Sequence, residues 1–202
     1  MWENSLQLSA DYVIKNLSTA NLYDDKVSLW DLALSQVSSN GLCLEFGVWQ
    51  GNSINYFSEK LSNHHFYGFD SFEGLAENWY GTSQSLGGFS LEGKLPAVRP
   101  NVSLIKGWFS KTLPGFLEKN KTEIAFIHLD ADTYESTYEV LNFIRDRLVP
   151  GSIIVFDEYL GYPNWENGEF KAWKDFVSES GISWEYFAFS APHQAALRII
   201  NM

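Results

Sequence analysis

Short, almost unbroken apolar runs recur along the middle of this chain, each followed by a glycine turn, a loop or a helical stretch. Five stand out: Leu42–Phe46, Phe66–Phe69, Val102–Ile105, Ile124–Leu129 and Ser152–Phe156. A short apolar run without polar alternation reads as a strand buried on both faces. Gly51–Leu61, Leu113–Lys119, Thr133–Leu148 and Phe170–Ser180 carry helical spacing. Strands alternating with helices need crossover connections, which predicts a largely parallel sheet with helices on both faces. Trp184–Phe189 and Ala195–Ile200 alternate, and read as two closing strands in an antiparallel hairpin. A chain of 202 residues suits one domain, residues 1–202, with its own core.

Two helical patterns precede the first run. Leu6, Leu8, Tyr12, Val13 and Leu17 form one apolar face, and Val27, Trp30, Leu34 and Val37 form a cleaner one that stops at Asn40-Gly41. Residues 1–40 are therefore expected to be a helical cap. The segment Glu77–Pro100 is rich in Gly and Ser and carries Trp79, Tyr80 and Phe89. A connection this long is usually functional, and it is expected to be a mobile lid.

The formal net charge is −11. A surface so acidic repels phosphate backbones and argues against a nucleic-acid partner. The lone cysteine, Cys43, forms no internal disulfide and fits a reducing compartment. No signal-like N-terminus and no apolar run of roughly 20 residues is present. The expectation is a soluble, cytoplasmic protein without a membrane partner, compatible with a homo-oligomer.

Open α/β sheets bind ligands beyond the carboxyl ends of their strands. The first run ends in Glu45-Phe46-Gly47-Val48-Trp49-Gln50-Gly51-Asn52-Ser53. Its glycines allow a tight turn close to a ligand, but the spacing is not the dinucleotide fingerprint. That disfavours a nicotinamide-dependent dehydrogenase. Glu45 suits a cationic ligand group, an ammonium or a sulfonium. Phe46, Gly47, Gly51, Asn52 and Ser53 complete the candidate turn. The second run ends in Asp70, followed by Ser71 and Phe72, where a carboxylate can accept both hydroxyls of a ribose. Gly107, Trp108 and Phe109 follow the third run and can flank an adenine ring by stacking.

The fourth and fifth runs deliver acids: His128-Leu129-Asp130-Ala131-Asp132 and Asp157-Glu158-Tyr159. Asp130, Asp157 and Glu158 are the candidate ligands for Mg²⁺ or Ca²⁺, which hard oxygen donors suit. A metal there holds a substrate hydroxyl and lowers its pKa. Asp132 stands three residues before Glu135, the spacing of a capping box, and is read as a helix cap. Asp130, His128 and His193 are candidate catalytic groups, and Asp130 is also a candidate cofactor contact.

Four stretches resemble the macrocin O-methyltransferase (TylF-type) family. They are Glu45-Phe46-Gly47-Val48, Gly68-Phe69-Asp70-Ser71-Phe72-Glu73-Gly74-Leu75, His128-Leu129-Asp130-Ala131-Asp132-Thr133-Tyr134-Glu135-Ser136-Thr137 and Asp157-Glu158-Tyr159. The resemblance extends from about Leu42 to Phe176. It implies a Rossmann-like class I methyltransferase: a seven-stranded, mostly parallel sheet, helices on both faces, and one antiparallel strand. It implies S-adenosylmethionine as cofactor, with contacts at Glu45, Gly47, Asp70, Ser71 and around Trp108. It implies a divalent metal, usually Mg²⁺, at Asp130, Asp157 and Glu158, although the last pair here is Asp-Glu where the family typically has Asp-Asp. The implied substrate is a small hydroxylated molecule, a natural-product sugar or a relative of one. Two alternatives stay open: a metal-independent methyltransferase with His128 or His193 as base, and a non-catalytic scaffold that binds the cofactor.

Overall fold

A computed structural model describes residues 1–38 and 40–202. Six helices and eight strands follow one another as α1 (Trp2–Asn16), β1 (Asn21–Tyr23), α2 (Lys26–Ser35), β2 (Leu42–Phe46), α3 (Asn52–Lys60), β3 (Phe66–Asp70), β4 (Val102–Lys106), α4 (Phe109–Lys119), β5 (Ile124–Leu129), α5 (Tyr134–Ile144), β6 (Ile153–Phe156), α6 (Glu169–Ser180), β7 (Ser183–Ser190) and β8 (Gln194–Asn201). All eight strands form one sheet, ordered β1-β7-β8-β6-β5-β2-β3-β4. Only β8 runs antiparallel to its neighbours, β6 and β7. No helix among the described residues is long and apolar enough to cross a membrane.

Every residue of β2, β5 and β6 is buried, as continuous apolar runs in a covered parallel sheet require. Side chains alternate between two cores. Leu42, Leu44 and Phe46 face α4, α5 and α6, with Leu113, Val140, Leu141 and Trp173 opposite them. Cys43, Phe126 and Val155 face α2 and α3, against Leu29, Trp30, Ile54 and Phe57. Burial pushes the Cys43 thiol up to about 12, so it is a packed apolar group.

The expected seven strands become eight. The added strand is β1, three residues that pair in parallel with β7; they lie within the stretch read as wholly helical. A strand this short has no room for a periodic pattern, yet it covers the otherwise unpaired edge of β7. The first helix keeps only the second half of its expected apolar face: Tyr12 and Val13 pack on the core and Leu17 is buried. Leu6 and Leu8 are exposed, and the residues α1 buries are Ser5 and Ser9. Ser9 Oγ accepts the Gly161 amide at 2.8 Å, so a small polar residue seats the helix. Helix α4 begins at Phe109, four residues before the expected Leu113.

Candidate active site

The carboxyl ends of β2, β3, β5 and β6 open into a cavity of about 720 Å³. One wall is the turn after β2. Gly47 has φ +88, and a Cβ there would stand 1.8 Å from the Asp130 carbonyl oxygen, so only glycine lets β2 and β5 close at this point. Asp70 braces the turn. Its Oδ2 accepts the amides of Val48 and Trp49, each at 2.8 Å, and its Oδ1 accepts that of Phe72 at 2.6 Å. A carboxylate has about four lone pairs, so Asp70 keeps capacity for a ligand. Ser71, Gly107, Trp108 and Phe109 also line the cavity. Phe109 packs edge-on against Phe46 at 5.5 Å, while Trp108 keeps 40% of its surface open.

Several expected contact residues lie elsewhere. Phe46 and Phe72 are buried in the two cores. Gly51 caps α3 and Asn52 starts that helix, exposed, outside the cavity lining. Ser53, in the first turn of α3, pulls the Glu45 carboxyl downward and does not line the cavity. Glu45 is fully buried and does not line the cavity. The register explains this. Glu45 lies directly across from His128 in the β2–β5 pairing, so both side chains point to the α2–α3 face. Glu45 Oε1 is 2.9 Å from His128 Nδ1. Burial raises the Glu45 carboxyl, against the pull of His128.

His128 is correspondingly no free base. Burial alone would lower its pKa, but the carboxylates of Asp157 and Glu45 outweigh that and hold it up to about 10. It is a buried ring shut between two acids that favour its protonated form, and it is absent from the cavity wall. His193 is outside the cavity too. Its Nδ1 donates to the Leu160 carbonyl at 3.0 Å, and its own carbonyl accepts the amides of Tyr159 and Leu160.

The acidic cluster assembles differently from the expected trio. Asp130, Asp132 and Glu158 each offer an oxygen within 4.8 Å of the others. Asp157 also lines the cavity but stands outside this trio, engaged by two cations: its Oδ2 is 3.3 Å from Lys26 Nζ and its Oδ1 3.6 Å from His128 Nε2. Burial works to raise Asp157, yet His128 and then Lys26 hold it down to about 2. Asp132 is not the cap of α5. Thr133 fills that role by accepting the Ser136 amide, and Asp132, at φ 63, lines the cavity. Burial raises all three clustered carboxyls; the Asp157 charge then adds to Asp130, which reaches about 7, and the Asp130 charge adds to Asp132 and Glu158. Glu158 Oε2 is buried without a hydrogen-bond partner. Hard oxygens, crowded charge and an orphaned acceptor fit a divalent cation.

Two residues of the site carried no sequence signal. Lys26, the first residue of α2, lines the cavity and is the only basic side chain among the described residues that do. Glu169, the first residue of α6, is buried, and accepts the amides of Ala131 and Glu158 at 3.2 Å each. It ties the loops after β5 and β6 together. Burial and then Asp130 push its carboxyl up to about 8.

The segment after β3 crosses this edge as an ordered strap. The Phe72 carbonyl accepts the amides of Leu91 and Gly93. Asn55 holds the Ala97 carbonyl and the Arg99 amide. The far end reaches the loop after β6, where Asn164 donates to the Tyr80 carbonyl and Trp79 packs on Tyr162 at 5.6 Å. Glu77, Trp79 and Phe89 line the cavity.

A parallel sheet with one reversed strand and a glycine turn braced by an acid at the next strand defines a Rossmann-like domain of the S-adenosylmethionine-dependent methyltransferase class. The family model described as a methyltransferase domain matches residues 44–159, and the chain belongs to that family. It is similar to the 8-demethyl-8-(2,3-dimethoxy-alpha-L-rhamnosyl)-tetracenomycin-C 4'-O-methyltransferase of Streptomyces olivaceus, 31% identical over 59% of this chain and 53% of that protein. It is also similar to the demethyldecarbamoylnovobiocin O-methyltransferase of Streptomyces niveus, 27% identical over 42% of this chain and 34% of that protein. The matches thus span about half the length of the first of these relatives and a third of the second. Among solved structures, the calicheamicin methyltransferase CalS11 matches with a TM-score of 0.68 and 25% identity, over 98% of this chain and 89% of that one. A second structure of it, described as a TDP-rhamnose 3'-O-methyltransferase, matches with a TM-score of 0.63 and 26% identity, over 86% of this chain and 78% of that one.

Proposed function

We propose that this domain transfers a methyl group from S-adenosylmethionine to a hydroxyl of a small, sugar-bearing molecule of the natural-product type. We further propose a divalent cation, Mg²⁺ in the first instance, at Asp130, Asp132 and Glu158. The observation that carries the reading is the meeting of these three carboxylates in one cavity with the Gly47 turn, Asp70 and Trp108. The donor's ribose belongs with Asp70 and Ser71, and its adenine with Trp108 and Phe109, whose rings offer a stacking face. Gly47 gives the rest of the donor room against the backbone. When bound, the cation would supply Lewis acidity to the acceptor hydroxyl. A carboxylate oxygen of the acidic wall left free by the cation would accept its proton. The strap, with Trp79 and Phe89, screens the reacting groups from water, and closes further on the loaded site.

The macrocin-type assignment draws on the motif resemblance alone; the acceptor class draws also on the relatives, which are named for a rhamnosyl tetracenomycin, demethyldecarbamoylnovobiocin and TDP-rhamnose. The test is a panel of deoxysugar acceptors incubated with S-adenosylmethionine, read as S-adenosylhomocysteine release. Turnover is expected with Mg²⁺, lost in chelator and regained when Mg²⁺ is restored. Undiminished turnover in chelator, with no metal in the protein, would remove the cation from the scheme. A well-folded sample that takes up no S-adenosylhomocysteine in calorimetry would remove the donor.

A further inference from the structure

The cavity wall is far more acidic than a cation site needs. Among the described residues, eight carboxyl side chains line it against the single ammonium of Lys26, and no arginine does. Lys26 is already engaged by Asp157. Three of the acids lie outside the cluster at β5 and β6: Glu77 on the strap, and Glu135 and Glu139, one turn apart on α5. None of the three forms an ion pair among the described residues. A divalent cation and a donor with one net positive charge offset only part of this field. A cleft lined by one sign of charge attracts ligands of the other sign and repels its own.

A second observation concerns shape and polarity. Trp49 is turned outward by a left-handed backbone, φ 45, and is 41% exposed. Phe89 packs edge-on against it at 5.6 Å, and Trp79 lies 6.5 Å beyond Phe89. These three rings line the cavity together. Flat apolar walls of this kind take an aromatic or alicyclic body. They offer nothing to a phosphate, which seeks arginine forks, lysines or free backbone amides. Glu158 Oε2, buried and without a partner in the same cavity, adds an acceptor that wants a donor or a cation.

We infer that the acceptor is a neutral or cationic glycoside, its sugar already joined to an apolar aglycone, and that the same sugar carried on a nucleoside diphosphate is excluded by charge. The inference rests on the acceptor class proposed above. It also places the methylation after a glycosyl-transfer reaction, which must supply the substrate. The aglycone lies against Trp49, Phe89 and Trp79, and an amino group on the sugar would face Glu135 and Glu139.

The test is calorimetry on the full chain saturated with S-adenosylhomocysteine and Mg²⁺, which stops turnover. The probes are an aryl 6-deoxyhexoside, the corresponding amino-deoxyhexoside, and the same deoxyhexose on thymidine diphosphate. Binding is expected to be tightest for the amino sugar. The nucleotide sugar should bind at least about 30-fold more weakly than the neutral glycoside, the order expected of several partly screened repulsions. The gap should widen as salt is lowered and narrow in the double variant Glu135→Gln, Glu139→Gln. Equal or tighter binding of the nucleotide sugar would overturn the inference and leave the proposed reaction standing. Binding of none of the three, with S-adenosylhomocysteine still bound, would overturn the inference together with the sugar acceptor itself.

Discussion

The buried pair Glu45–His128 decides what the turn after β2 can do. Both side chains are fully buried and meet at 2.9 Å, and His128 also faces Asp157. The imidazolium is the counter-charge that lets two carboxylates stay under the α2–α3 face. Removing one partner of such a set leaves a charge without compensation, a loss of about 3–5 kcal/mol. His128→Ala should therefore lower stability by that order in urea or thermal unfolding. A change under about 1 kcal/mol would show that the pair is not ionised as described. The acids at the strand ends were legible as residues, but their directions were not. Glu45 was read as a ligand group because it precedes a glycine turn, and only its register opposite His128 shows that it points away. Asp157 and Glu158 are adjacent in sequence, so which of the two reaches the cluster depends on the strand's parity and on Lys26, which arrives from a distant helix.

At the scale of elements, the buried apolar runs announced β2 through β6 within a residue or so. The elements that hold the site in shape were quieter. Glu169 looks like an ordinary acid in the first turn of a helix, a favourable place by charge alone. Its two hydrogen bonds to loop amides across the cavity floor appear only when the loops after β5 and β6 are side by side. Glu169→Ala leaves both amides unpaired in a buried setting, at about 1–3 kcal/mol each. The variant should unfold at lower temperature and lose methyl transfer by at least about 10-fold, because a displacement of about 1 Å in the acidic loops is costly. Unchanged turnover would mean that the loops hold their place without it. The strap offers a second test. Gly81, at φ +94, passes so close to the Pro163 carbonyl that an added Cβ would lie 1.7 Å away. Gly81→Ala must lift the strap from the loop after β6. It should raise the KM for the acceptor and expose Glu77–Leu91 to protease, while donor affinity, which the proposed function assigns to Asp70 and Trp108, stays within about twofold. A loss of donor affinity as large as the loss for the acceptor would contradict this division of the cavity.

For the whole molecule, the acidic balance and the sheet converge on one liability. Parallel strands deliver acids from β3, β5 and β6 to a common edge, and the chain as a whole carries −11. The folded state concentrates like charge that the unfolded chain disperses, so the cation-free protein is destabilised by its own site. Lys26 and His128 offset Asp157, yet Asp130, Asp132 and Glu158 are left crowded within 4.8 Å. A cation that binds there binds the folded state, and by mass action stabilises it by about 2.7 kcal/mol at one hundred times its dissociation constant. For a domain of this size each kcal/mol moves the midpoint by about 2–4 °C. Mg²⁺ should therefore raise the Tm by several degrees in a saturable way. Monovalent salt at equal ionic strength should give only a small, gradual rise, since screening is weak for buried charge. Asp130→Asn should raise the Tm of the cation-free protein, by relieving repulsion, and abolish most of the Mg²⁺ response. A Tm indifferent to Mg²⁺ in the unaltered protein, or a full response retained in Asp130→Asn, would locate any bound cation elsewhere. This measurement needs neither donor nor acceptor, so it separates the site's electrostatics from the identity of its substrate.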